Sequence, residues 1–300
     1  MKRLMLLLTF TVAGFMLTAS ASAKTIVTDG LVSYWTFDRT NIKDRTVEDV
    51  WGENDATIMG NPKIVDGYLK QGFELDGSED YVSLPNVGNF GSQIGPYTFE
   101  AWFKTSHKES WSAIYKVNEL PCAKRNRGYG ILINATRIRA PVDIIETKED
   151  FIFVQFSPKG EVGCTGSTFR RNHTVSDGEW HHIVWTSRSL NEEELDLIKH
   201  LPIGNCLKFT VYLDMKPIVS PISCLFGNVP RPYTKLIFLG AVNDRGKASG
   251  FFQGVFDEVR IYDRALTHEE VIRNYESGIG LGVEPIQKLS TVWGALKAKR

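Results

Sequence analysis

Through most of this chain apolar and polar residues alternate with a period of two, the pattern of strands that turn one face to a core. Glu258-Val259-Arg260-Ile261 alternates in this way, as do Phe73 and Leu75 in QGFELD and the stretch Tyr97–Lys104, YTFEAWFK. On that alternation Asp257 shares a face with Val259 and Ile261, which predicts an inward acid in need of a partner. Asp76-Gly77 lies between two strand-like runs and predicts a hairpin. The period changes in two places. Thr267 and Glu270 form a capping box for a short helix, with Val271, Ile272 and Tyr275 laid on the sheet and Gly278 as its stop. Leu190–Leu201, LNEEELDLIKHL, predicts an inserted helix, with Ser189 and Glu192 as its capping box.

Three hundred residues suit one such sandwich with insertions. The 35 basic and 35 acidic residues give a formal net charge of zero. No basic block points to nucleic acid, and no acidic tail points to a cation buffer. The amino terminus has its own pattern: Met1-Lys2-Arg3, the apolar run Leu4–Leu17, then Ala21-Ser22-Ala23. A charged start, an apolar middle and a small-residue exit predict a secretory signal cleaved after Ala23. The expected organisation is therefore a signal peptide at 1–23, one domain at 24–282 and a tail at 283–300. The apolar run falls short of the roughly 20 residues a membrane span needs. No other segment is long and apolar enough, so the mature chain is expected to lack a span and to be secreted or associated with the cell envelope.

Export makes the four cysteines candidates for disulfides, and four allow three connectivities. Cys206 and Cys224 lie symmetrically about Met215 in what looks like two strands around an Asp214–Pro217 turn, where a hairpin would set them opposite each other. Cys122 and Cys164 likewise flank a possible pairing of Tyr129–Asn134 with Ile152–Ser157. Strand geometry thus favours Cys122–Cys164 and Cys206–Cys224, against four reduced, packed thiols. Neither pair has the close Cys-x-x-Cys spacing of a zinc or redox site.

The run Gly250–Tyr275, GFFQGVFDEVRIYDRALTHEEVIRNY, resembles the closing strand and helix of laminin G-like jelly-roll domains, within the concanavalin A-like lectin and glucanase superfamily. The opening GLVSYWTFD from Gly30, the loop Trp51–Thr57, and YTFEAWFK and DGEWHHIVWT further on are similar to the family's other strands, in family order from about Gly30 to Gly278. The resemblance implies an all-β fold, a two-sheet antiparallel jelly-roll sandwich with a short C-terminal helix, to which the sequence adds the one inserted helix. It also implies a structural calcium ion, a cation that takes hard oxygen ligands. Carried over by motif, the ligands are Asp38, Asn54 and Asp257, completed by carbonyls. The other reading has these groups capping turns without metal. The tail, with GVEPIQKLSTVWGALKAKR, resembles short C-terminal peptides of some secreted bacterial laminin G-like proteins and hints at an envelope or export role.

Candidate chemistry is sparse. His181 and His182 are adjacent on a strand and point to opposite faces, so they cannot readily converge on one ion. Glycoside hydrolysis needs a carboxylate pair, and the Glu-x-Asp-x-x-Glu or Glu-x-Asp-x-Glu strand of related jelly-roll glucanases does not appear. There is no Gly-x-Ser-x-Gly elbow and no phosphate-cradling loop. The chain is therefore expected not to be an enzyme. A lectin-like sandwich meets sugars with exposed aromatics, and Trp111, Tyr115 and Tyr129 could line such a face. Core packing is an equal alternative for these three, and it is the expectation for Trp35, Trp102 and Trp185. The expected function is secreted, non-catalytic binding of an extracellular glycan or glycoprotein, as in adhesion. The alternatives are a structural envelope protein docked through its tail and, third, a glycoside hydrolase. The longer, basic segment 120–175 and the inserted helix depart from the family pattern and offer loop surfaces for partners.

Overall fold

The computed structural model describes residues 25–277 except for positions 89, 91–94, 109–111, 119–128, 134–136, 140–143, 147–150, 157–166, 201–204, 221, 226–235 and 245. The expected signal peptide, Gly278 and the tail lie outside the described residues. Two large antiparallel sheets face each other, and a two-stranded ribbon, Arg137–Arg139 with Ile144–Glu146, stands apart from them. In the nine-stranded sheet the order runs from Lys216–Val219 through Asn205–Leu213, Trp180–Ser189, Tyr97–Lys104 and Gln253–Tyr262 to Gln71–Asp76 and Lys63–Asp66. The opening strand Leu31–Trp35 also pairs with Gln253–Tyr262, so the first and last strands of the fold are neighbours. The second sheet has eleven strands, with Ser112–Asn118, Leu236–Leu239 and Tyr81–Pro85 near its middle. Tyr129–Ile133 pairs with Phe156 back to Ile152, as the sequence led us to expect. The architecture is the antiparallel sandwich predicted.

The alternation explains which side each strand buries. Phe99, Ala101 and Phe103 of the central strand Tyr97–Lys104 join Trp35, Phe73, Leu75, Ile183, Trp185, Phe256, Val259 and Ile261 in the core between the sheets. The opposite face of the same sheet carries a second buried cluster, with Tyr34, Val184, Tyr212, Tyr262, Leu266 and Val271. A C-terminal helix, which contributes Val271, covers that half of the face.

Two expectations are corrected. The closing strand contains a bulge: its register against the central strand shifts between Asp257 and Arg260, and Glu258 takes φ +53°. Phe256 and Val259 both face the core across it, so Asp257 sits opposite Trp102 on the outer face, away from Val259 and Ile261. One extra residue re-aims a side chain, which alternation alone cannot reveal. The Asp76-Gly77 turn is not a hairpin. Gln71–Asp76 belongs to one sheet and Tyr81–Pro85 to the other. The Asp76 carboxylate accepts the amides of Ser78, Glu79 and Asp80, folding the chain around the sandwich corner.

Both helices are present. The inserted helix α1 spans Glu192–Ile198, and its capping box is Asn191 with Glu194, not Ser189 with Glu192. Ser189 is still paired in the sheet, opposite Leu207, so the strand delays the helix start by two residues. The C-terminal helix α2 spans His268–Glu276 with the expected Thr267–Glu270 capping box. It buries Val271 and also Asn274, while Ile272 and Tyr275 are half-buried.

Candidate functional site

The half of the nine-stranded sheet's outer face that α2 leaves uncovered carries a cluster of aromatic rings. Antiparallel partners point the same way, so the ladder fixes a row across five strands: Trp180, Lys104, Val255, Glu74 and Lys63. Trp180, Lys104, Val255 and Glu74 are half-buried and Lys63 is exposed. One step inward, Trp102 is 2 % exposed because Tyr68 lies flat upon it, ring centroids 3.5 Å apart and planes at 10°. Tyr275 of α2 also reaches Trp102, centroids 5.1 Å apart, and Trp180 meets Tyr68 edge-on at 6.1 Å. Tyr68, Trp180 and Tyr275 are each half-buried and form the accessible rim around Trp102.

Beneath α2 the same face turns from aromatic to ionic. Arg260 is opposite Glu100 and pairs with it at 2.8 Å, and it also pairs with Glu258, which the Tyr34 hydroxyl contacts as well. The Arg260 guanidinium stacks over the Tyr34 ring at 4.6 Å. Glu100 further accepts from Asn274 at 2.7 Å and meets His182 Nε2 at 2.9 Å. Burial alone would raise the Glu100 pKa, but the Arg260 charge and the His182 and Asn274 hydrogen bonds outweigh it and hold it below the usual value. Both buried glutamates are bound to one arginine inside the protein. An acid and base working on a substrate need reach to it, and this pair has none.

Asp257 lies where the closing strand bulges, near enough to Asp38 for its charge to be felt. Asp257 accepts the amides of Leu69, at 2.9 Å, and Glu258. Asp38 accepts the Gln71 amide and contacts Lys70 Nζ at 3.4 Å. Burial, then the Glu258 and Asp38 charges, push the Asp257 pKa up to about 9. Such a rise is what burial and neighbouring like charge do to a carboxyl group. The Asn54 amide NH2 donates to Ser33 Oγ and Asp49, in a loop built on the Asp49 carboxylate. Among the described residues no three His, Cys, Asp or Glu side chains group to hold a metal, so main-chain oxygens would have to complete a calcium shell.

The sequence candidates for ligand stacking fare differently. Tyr115 is fully buried between the sheets against Phe99, Phe90 and Trp185, so its ring has no face for a ligand; that expectation is corrected. Trp111 lies outside the described residues, and Tyr129 is described only as a strand residue opposite Phe156. Trp35, Trp102 and Trp185 are buried as expected. Tyr68, Trp180 and Tyr275 were missed, because their convergence depends on a loop, a strand end and a helix that sequence does not bring together. The ladder sets Cys206 directly opposite Cys224, and Cys206 is disulfide-bonded; Cys122 and Cys164 lie outside the described residues. His181 and His182 diverge as expected: His181 sits between Asp214 at 2.8 Å and Asp177 at 3.2 Å, whereas His182 serves Glu100.

A family model described as the concanavalin A-like lectin/glucanases superfamily matches residues 76–272. No curated protein matches. Among solved structures, domain 4 of AbnA, a GH43 extracellular arabinanase from Geobacillus stearothermophilus in complex with arabinotriose, is 18% identical with TM-score 0.50. The match covers 82% of this chain and 98% of that one. The binding domain of Paraclostridial Mosquitocidal Protein 1 is 14% identical with TM-score 0.52, covering 82% of this chain and 52% of that one. The binding domain of botulinum neurotoxin DC, solved in complex with SialylT, is 12% identical with TM-score 0.52, covering 84% and 52%. The chain spans about half the length of these two toxin domains. At such identities the likeness is one of fold.

Proposed function

The chain belongs to the concanavalin A-like lectin/glucanases superfamily, and from that premise we propose that it is a non-catalytic protein that binds an extracellular glycan or glycoprotein. The observation that carries this reading is the half-exposed ring set of Tyr68, Trp180 and Tyr275 around Trp102, on a face whose buried glutamates are both bound to Arg260. Aromatic faces offer apolar area to the C–H faces of pyranose rings at low entropic cost, since each has two side-chain torsions. The bonding of Glu100 and Glu258 within the protein supports a binding role over glycoside hydrolysis. Structures of similar fold include a domain solved with arabinotriose and one solved with SialylT, which is in keeping with a sugar ligand.

Export and an extracellular or envelope location belong to the same proposal and rest on the signal pattern at 1–23. Among the described residues no helix is long and apolar enough to cross a membrane. Calcium belongs to it as well, held by Asp38 and Asp257, where it would neutralise the acids and fix the 67–71 loop that carries Tyr68. A glycan array probed with the purified mature protein, in calcium and again in chelator, tests the reading. Saturable binding that Trp180→Ala abolishes without loss of fold is the expected result. Absence of binding to every glycan in both conditions would refute it.

A further inference from the structure

We infer that the row beside the aromatic cluster selects a sugar that carries a carboxylate, with the Lys104 ammonium as its partner. This rests on the glycan-binding reading of the same face. Lys104 ends the central strand directly opposite Trp180, so the two side chains leave the sheet on one side. Facing Cβ atoms in such a pair stand about 4.5–5.5 Å apart. A pyranose ring laid on the exposed side of Trp180 therefore brings its substituents within reach of the ammonium. Among the described residues no carboxylate lies within ion-pair distance of Lys104, whereas Lys70 is drawn to Asp38 and Lys199 to Asp196.

Glu74, two strands away in the row, stands opposite Lys63 in the register. Asp177 accepts the Glu179 amide and contacts His181. Asp257 is closed off beneath the Leu69 amide and is fully buried. The row itself carries Lys104 and Lys63 against Glu74, a net single positive charge. Arg260, the strong cation of this face, is buried and consumed by Glu100 and Glu258, so it cannot serve an anionic ligand. A half-buried lysine with no carboxylate partner among the described residues, next to a stacking ring, matches one carboxylate on one sugar. Gly254 keeps this geometry possible: a Cβ there would meet the Lys104 carbonyl oxygen at 2.3 Å, so only glycine lets the closing strand pack so near.

The test is binding of the mature protein to paired probes: 3′-sialyllactose against lactose, and glucuronate-capped xylobiose against xylobiose. At least one acidic probe should bind roughly tenfold or more tightly than its neutral parent, the range a charge-assisted hydrogen bond supplies. Lys104→Ala should erase that difference, and Lys199→Ala on the inserted helix should change nothing. Neutral probes bound as well as acidic ones would overturn the charge selection and leave the glycan reading standing. An acidic preference that survives Lys104→Ala would overturn the assignment to Lys104. No binding by any of the four probes would overturn the charge selection, whereas the glycan reading falls only if the array is blank as well.

Discussion

Glu100 and Arg260 stand directly opposite each other on neighbouring strands and meet in a 2.8 Å ion pair that is closed to solvent on both sides. The pair joins α2 to the sheet, because Glu100 also accepts from Asn274 of the helix. Breaking a buried pair from one side leaves an uncompensated charge, so Glu100→Ala is expected to cost about 3–5 kcal/mol in a chemical denaturation experiment. The folded Glu100 pKa is depressed, so its contribution is complete above the ordinary Glu value near 4.3 and fades as pH falls through the folded value. Equal stability of Glu100→Ala and parent at neutral pH would show that the network contributes nothing.

His181 gives a pH dependence of the opposite sign. Burial works to lower its pKa, but the hydrogen bonds and charges of Asp214 and Asp177 prevail and raise it. A histidine with a raised folded pKa adds stability in full below its unfolded value near 6.5 and loses it as pH rises through the folded value. The melting temperature should therefore drop between pH 6 and 9 by an amount that His181→Gln removes. Because the Asp214 turn continues into Met215, whose carbonyl accepts from His268 at the start of α2, Asp214→Asn should flatten the same profile. A parent profile already flat over that range would rule out the His181 contribution.

Tyr68 covers Trp102 from a short loop, and its removal should uncover that ring. Tyr68→Ala is expected to shift tryptophan emission to the red and to increase quenching by acrylamide, with only a small change in global stability. Trp102→Ala, in contrast, should cost about 3–5 kcal/mol, the usual price of deleting a buried Trp. Unchanged emission in Tyr68→Ala would mean that Trp102 stays shielded without Tyr68.

The parts of this fold that were legible in the sequence are those set by local periodicity and local caps. YTFEAWFK alternates, and Phe99, Ala101 and Phe103 do face the core. Thr267 and Glu270 are three residues apart, and they do close the α2 capping box. What escaped depends on residues distant in sequence or on a change of one in the count. The bulge at Glu258 turned Asp257 to the other face, and no alternation pattern announces an inserted residue. The corner after Asp76 used an Asp-Gly turn to change sheets, which the dipeptide alone cannot distinguish from a hairpin. Tyr68, Trp102, Trp180 and Tyr275 form one cluster only because a loop, two strands and a helix converge. Aromatic content predicts such a surface somewhere but not which rings make it, and Tyr115, chosen from sequence, fell into the core.

The hairpin that sets Cys206 opposite Cys224 predicts the covalent partner of Cys206. Peptide mapping of the non-reduced protein should recover a Cys206–Cys224 fragment that disappears on reduction. A link closing a loop of this size typically adds about 3 kcal/mol, so Cys206→Ala with Cys224→Ala should melt lower by a corresponding margin. Recovery of Cys206 linked to either of the other cysteines would contradict the strand register.

Calcium makes a separable prediction because Asp257 can be changed without changing its shape. In the metal-free chain, burial and the neighbouring acids push its pKa up to about 9. Both Asp257 oxygens accept main-chain amides, so Asp257→Asn turns its NH2 toward one of those donors and should be less stable than the parent in chelator; the comparison is therefore each chain's own response to calcium. A ligand that binds only the folded chain stabilises it, by about 2.7 kcal/mol at a hundred times its dissociation constant. Added calcium should therefore raise the parent's melting temperature and leave Asp257→Asn where it was. Asp38→Asn should weaken the response, since Asp38 contributes the second charge. The order of effects carries the argument. A calcium response that survives Asp257→Asn would place the ion elsewhere, and one that is lost in Asn54→Ala would put the Asn54 amide oxygen in the ligand set.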